Sequence, residues 1–127
     1  MGIAERNEPS VVAKAYDLAL WILPHVATMP RDHRFTLGER IESSVLAILE
    51  HLVQASYTQR KEALLLEAQR YLERLRHLWR LAKDLRQTSL KWYEFGARAM
   101  DEIGREIGGW RKAALGRERH ETGQGSL

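Results

Sequence analysis

Lys91, Arg98, Arg105 and Lys112 stand seven residues apart. On an α-helix, seven residues come close to two full turns, so these four cations form a line along one side of a rod. Two further groups lie upstream. Arg76, Arg80 and Lys83 share one flank of a helical projection, with Trp79 beside them, and Arg70 and Arg74 lie on the opposite flank. Cations spaced along a rigid helix suit phosphates, and affinity gained that way depends steeply on salt. A guanidinium also matches a carboxylate with two parallel hydrogen bonds, so a protein partner is equally natural at the arginines. The competing reading is a solvated charged face. Glu94–Arg98 and Asp101–Arg105 are acid-before-base pairs four residues apart, the orientation that neutralises itself on a helix. Glu73 and Asp84 partly offset Arg76 and Arg80.

Other chemistry is scarce. The chain has no cysteine, so it has no disulfide, no thiolate nucleophile and no Cys-ligated metal. Its five histidines, His25, His33, His51, His77 and His120, form no HxxxH or Glu-x-x-His pair of the kind that holds a metal on helices. No phosphate loop, nucleophile elbow or dinucleotide fingerprint is present. The reading is therefore of a protein without catalytic residues, metal, cofactor or small-molecule substrate.

The elements that must position the cations are helices. Only three prolines occur, Pro9, Pro24 and Pro30, and none follows residue 30. Helix 1 is expected from Ser10 as N-cap, with core positions Val12, Ala15, Ala19, Ile22, Val26 and Met29, a kink at Pro24, and an end at Pro30. Helix 2 carries Leu37, Ile41, Val45, Ile48, Leu52 and Ala55. Helix 3 carries Leu64, Ala68, Tyr71, Leu75, Leu78, Ala82 and Leu85. Helix 4, capped by Ser89 or Thr88, carries Tyr93, Ala97, Met100, Ile103, Ile107, Trp110 and Ala114. Four near-3.5-residue repeats with short connectors predict an all-α, antiparallel up-down-up-down four-helix bundle over residues 10–115. Residues 1–9 and the polar, Gly-rich 116–127 stretch are expected to lack structure.

The corner between helices 1 and 2, "MPRDHRFTLGERIE", is no loose linker. Thr36-Leu37-Gly38-Glu39 matches a capping box, with Phe35 placed to pack back on the new helix and Asp32 placed to fix the turn. Arg31, His33 and Arg34 are not needed for such a corner and stay available to a partner. Gly96, Gly104 and Gly108 run down one side of helix 4. Each costs roughly 0.8–1.0 kcal/mol relative to Ala, which points to close packing within the bundle or between protomers. Helix 1 is more apolar than one buried stripe requires, so its surplus is expected under another chain. Leu20, Trp21, Gly104 and Gly108 are the expected oligomer contacts.

Charge is uneven. Residues 1–59 hold 5 Lys/Arg and 7 Asp/Glu, and residues 60–127 hold 15 and 10. An anionic partner belongs with the second half. The chain contains no apolar run long enough to cross a membrane, and its polar start is unlike a signal peptide. With no cysteine, a cytoplasmic location is expected.

"LWILPHVATMPRDHRFTLGERIE", "LRHLWRLAKDL" and "EIGREIGGWRKA" resemble the accessory variability determinant (Avd) proteins of diversity-generating retroelements. The resemblance covers roughly residues 14–114. It implies a basic four-helix bundle assembled as a barrel-shaped homopentamer. It also implies a non-catalytic accessory that binds the element's reverse transcriptase and associates with RNA or DNA. The complex in that family copies a template RNA with errors at adenines, and the cDNA replaces a repeat in a target gene. A sister family, the proteins encoded by intervening sequences of 23S rRNA genes, shares the bundle and the pentamer. Ribosome-associated RNA binding is therefore an alternative, and a purely structural oligomer is another; "GREIGGW" fits Avd better. On this reading Arg76 and Arg80 are the leading partner contacts, followed by Lys83, Arg70 and Arg74, with Arg98, Arg105 and Lys112 on helix 4.

Overall fold

The structure, a computed structural model, describes the backbone of residues 9–125 and the side chains of residues 9–119. Among these residues there are four helices and no strand. Helix α1 is Ser10–Ala27. Helix α2 spans 31–56 and has three parts: an α-turn at Arg31–His33, a π segment at Arg34–Gly38, and an α-helix at Glu39–Ser56. Helix α3 is Glu62–Asp84, and α4 is Leu90–Gly125. Each helix packs on its neighbours in the chain, and α4 closes against α1. With short connections, that cycle is the antiparallel bundle the repeats predict. The expected boundary at residue 115 falls inside α4, which continues as helix to Gly125. Of the N-terminal stretch 1–9, only Pro9 is among the described residues.

The α1 and α2 stripes lie where their spacing puts them. Val12, Ala15, Ala19, Ile22, Val26 and Met29 are buried, as are Leu37, Ile41, Val45, Ile48, Leu52 and Ala55. The α3 stripe is shifted. Leu65, Ala68, Leu72, Leu75, Trp79 and Ala82 are buried, while Leu64, Tyr71 and Leu78 are only partly covered and Leu85 is exposed. Both sets alternate by three and four, so spacing alone does not separate them. Trp79 decides the phase: its indole fills the space opposite Gly96, and its Nε1 donates to the Tyr93 carbonyl at 3.0 Å. On α4, Gly96, Met100, Ile103, Ile107 and Ala114 are buried, and Tyr93 and Trp110 pack at the core edge.

Two expected caps are corrected. Ser10 is the first helical residue after Pro9, and its hydroxyl donates to Glu106 of α4 instead of capping α1. The Thr36–Glu39 capping box does not form, because α2 has already begun. Pro30 precedes its first turn, and the Pro30 carbonyl accepts from both His33 and Arg34 at 3.0 Å. Thr36 sits inside the π segment, its hydroxyl 3.4 Å from the His33 carbonyl. A π turn takes one extra residue into a continuous helix. It brings Gly38 against α1, where a Cβ would meet Val26 Cγ1 at 3.0 Å. Phe35 is left 55% exposed, with the Arg34 guanidinium over its ring. Pro24 interrupts no turn of α1; the carbonyl it cannot bond belongs to exposed Leu20. Ser89 is the α4 cap, its hydroxyl accepting from the Trp92 N–H at 3.1 Å.

Candidate functional site

The seam between α3 and α4 holds Arg76, the leading expected partner residue. These helices run antiparallel, so residues approaching the end of α3 meet residues near the start of α4. Arg76 reaches across this seam. Its Nη1 is 2.5 Å from Asp101 Oδ1, its Nη2 is 3.5 Å from the Met100 carbonyl, and its Nε is 3.4 Å from Glu73. Gly104 makes room for it, since a Cβ there would lie 2.6 Å from Arg76 Nη2 and 3.3 Å from Leu72. Further down, Arg111 answers from α4, with Nε 2.6 Å from Glu62 and Nη1 3.3 Å from Gln69. Arg76 is thus a tether between helices, its guanidinium already engaged by Asp101 and Glu73. Around it lies an open groove of about 460 Å³ lined by Gln69, Glu73, Arg76, Asp101, Gly104 and Arg105.

The tether changes the charges beside it. Asp101, expected to pair with Arg105, is turned to Arg76 instead. Arg105 and Lys112 are exposed and make no ion pair among the described residues. Arg98 is 81% exposed, and its one ion pair among the described residues is with Glu94 at 3.9 Å. All three lie on the side of α4 away from Met100, Ile103 and Ile107. On α3, Arg80 is exposed and 3.9 Å from Asp84, and Lys83 shares that carboxylate at 3.6 Å while its Nζ lies 4.7 Å over the Tyr93 ring. Arg70 pairs with Glu67 at 2.7 Å, and Arg74 covers the Tyr71 ring at 5.2 Å. Exposed pairs this long contribute little and are screened by salt. Arg80, Arg98, Arg105 and Lys112 are therefore the cations best able to take phosphates.

The α1–α4 side was less legible. Trp21 is covered within its own chain: its ring lies 4.8 Å from Phe95, 5.7 Å from Trp79 and 6.0 Å from Trp92, and it stacks on His25 at 5.2 Å. His25 Nε2 is 3.0 Å from the Thr88 hydroxyl, and burial in this cluster lowers its pKa. Lys14 bridges from α1 to Glu102 at 2.6 Å and to Glu106, bonds that raise its pKa. Burial at this seam opposes ionisation of Glu106, but the bonds from Lys14 and Ser10 outweigh it and leave the Glu106 pKa lowered. Gly104 and Gly108 both face α3 of the same chain, Gly108 loosely with Gln69 3.8 Å from a Cβ. Leu20 remains 63% exposed, and Tyr16 and Leu46 are exposed as well. Sequence reasoning missed the aromatic cluster. Its signal is the presence of Trp21, Trp79 and Trp92 on three segments whose heptad phases converge at one end of the bundle.

Among the described residues no group of His, Cys, Asp and Glu could hold a metal ion, and no helix is long and apolar enough to cross a membrane. A family model described as bAvd-like matches residues 10–114. No curated protein and no solved structure matches the chain.

Proposed function

The chain belongs to the bAvd-like family, and on that premise we propose that it is a non-catalytic accessory protein of a diversity-generating retroelement, docking on the reverse transcriptase and helping to hold template RNA or cDNA. The observation that carries the nucleic-acid part is the outer face of α4, where Arg98, Arg105 and Lys112 stand in line and two of the three have no ion pair among the described residues. Arg80 extends that surface onto α3. Together they present cations spaced along a rod to a polyanion, as phosphate binding requires. The open α3–α4 groove beside them offers both signs of charge to a protein surface.

Self-association belongs to the same proposal. Tyr16, Leu20 and Leu46 expose apolar surface on α1 and α2, away from the cation line. Burying that surface between copies would leave every α4 face outward, the geometry of a basic barrel. The pentameric number follows from the family resemblance.

The test is binding of the purified protein to a labelled RNA hairpin across a salt series, together with co-expression with the element's reverse transcriptase. The triple variant Arg98→Ala, Arg105→Ala, Lys112→Ala should lower the log–log salt slope by about 2–3 units, at roughly 0.7–0.9 per phosphate contact. A protein that shows no salt-dependent RNA binding and does not co-purify with the polymerase would sink the proposal.

A further inference from the structure

Two connections share one end of the bundle: the α1–α2 corner and the α3–α4 turn. Up-down topology puts them there, and the His25–Thr88 contact at 3.0 Å ties them together. The Trp92 ring lies 6.3 Å from the His25 ring, so the start of α4 stands beside the last turn of α1. This end concentrates unpaired cations. Arg31, Arg34, Arg86 and Lys91 make no ion pair among the described residues. Asp32, Asp84 and Glu94 are acids nearby in sequence; Asp84 is already held by Arg80 and Lys83, and Glu94 lies 3.9 Å from Arg98.

The same end exposes aromatic rings. Phe35 is 55% exposed and Trp92 41%. Each carries a cation on its face, Arg34 at 4.8 Å from the Phe35 centroid and Lys91 at 5.4 Å from that of Trp92. Neither cation is needed by the core. The turn itself holds backbone strain. Gln87 N–H bonds to the Ala82 carbonyl at 2.7 Å and Arg86 N–H to that of Lys83 at 2.9 Å, a Schellman helix end whose left-handed position glycine usually fills. Here that position is Arg86, at φ 60°. A non-glycine residue there costs about 1–2 kcal/mol, and no hydrogen bond or ion pair of its guanidinium among the described residues offsets the cost. Strain of this kind concentrates where a ligand is met.

From these observations we infer that this end of the bundle, which takes in Lys91 at the head of the α4 cation line, is a stacking site for single-stranded nucleic acid, distinct from the face formed by Arg98, Arg105 and Lys112. Exposed rings and guanidinium planes accept unstacked bases, while the unpaired cations take the intervening phosphates. A duplex keeps its base faces covered and cannot use the rings. Any strand suffices, because every base has a π face. The inference shares with the proposed function only the expectation of a nucleic-acid ligand; surface and strand form differ.

A short oligothymidylate and a blunt, loop-free RNA duplex, titrated in parallel with the RNA hairpin over a salt series, test it. Phe35→Ala changes an exposed side chain and should fold normally. It should weaken oligothymidylate binding by about 5- to 100-fold, the loss of one stacked base, and leave duplex affinity within about twofold. Arg31→Gln with Lys91→Gln should lower the single-strand salt slope by about 1.4. Arg86→Gly should melt higher yet bind the oligothymidylate less tightly, a combination that a purely structural Arg86 would not produce. Hairpin binding without oligothymidylate binding, or oligothymidylate binding indifferent to all three changes, overturns the inference and spares the proposed function. Loss of all three ligands in the unaltered protein overturns this inference and the nucleic-acid part of that function together.

Discussion

An indole occupies the space that a side chain at residue 96 would need. A Cβ there would lie 2.7 Å from Trp79 Nε1 and 3.2 Å from Trp21, both parts of rigid rings. Gly96→Ala should therefore destabilise the protein by about 1–2 kcal/mol, overpacking outweighing the gain in helix propensity. At Gly109 a Cβ meets nothing within 4 Å, and Gly109→Ala should stabilise by up to about 1 kcal/mol. Urea denaturation of the two variants checks both signs. Arg76 belongs to the same scale. Arg76→Ala removes a cross-helix bond to Asp101 and should cost about 1 kcal/mol, a charged hydrogen bond discounted for partial exposure. RNA affinity should stay within about twofold, measured in the same salt series. A large loss of RNA binding with unchanged stability would restore Arg76 to the ligand.

At the scale of elements, His25 joins the end of α1 to the α3–α4 turn. Burial lowers its pKa below the ordinary 6.5, so the unfolded chain takes up that proton more readily than the folded one. The stability this contributes is complete above the ordinary value and is lost as pH falls through the folded one. Thermal midpoints should fall as pH drops below the ordinary 6.5, and His25→Gln should flatten that part of the profile. A second decline belongs to Glu106, whose lowered pKa protects α1–α4 docking until pH drops below its ordinary 4.5. Equal pH profiles for the two proteins would show that His25 carries no such linkage. The helices themselves were legible because their apolar spacing is local, as the buried sets on α1 and α2 show. The capping box was not, because Thr36 and Glu39 fit that motif in any chain, and only the earlier start at Pro30 removes the need for it.

The whole molecule separates its surfaces. Cations line the outside of α4, the aromatic end sits at the two tight connections, and apolar Tyr16, Leu20 and Leu46 are exposed on α1 and α2. Leu20→Lys should leave the bundle folded but shift its mass in solution toward a single chain of 14.7 kDa, because a charge at a buried contact between copies is costly. Light scattering with circular dichroism reads both properties at once. An unchanged mass would overturn the proposed self-association through this face.

The sequence by itself determined the helical class, the four segments, the antiparallel order and two of the four core stripes. Each of these depends on spacing within one helix and on connector length. It also determined which cations share a flank. Only the tertiary structure decided which of those cations are free. Asp101 could pair with Arg105 along its own helix or with Arg76 across the seam, and the cross-helix bond forms because Gly104 leaves room for the guanidinium. It also decided the phase of α3 and the fate of Trp21, since an indole finds its place only when another helix supplies the glycine opposite it. Charge pairing and ring packing depend on distances between segments, and spacing along the chain does not contain them.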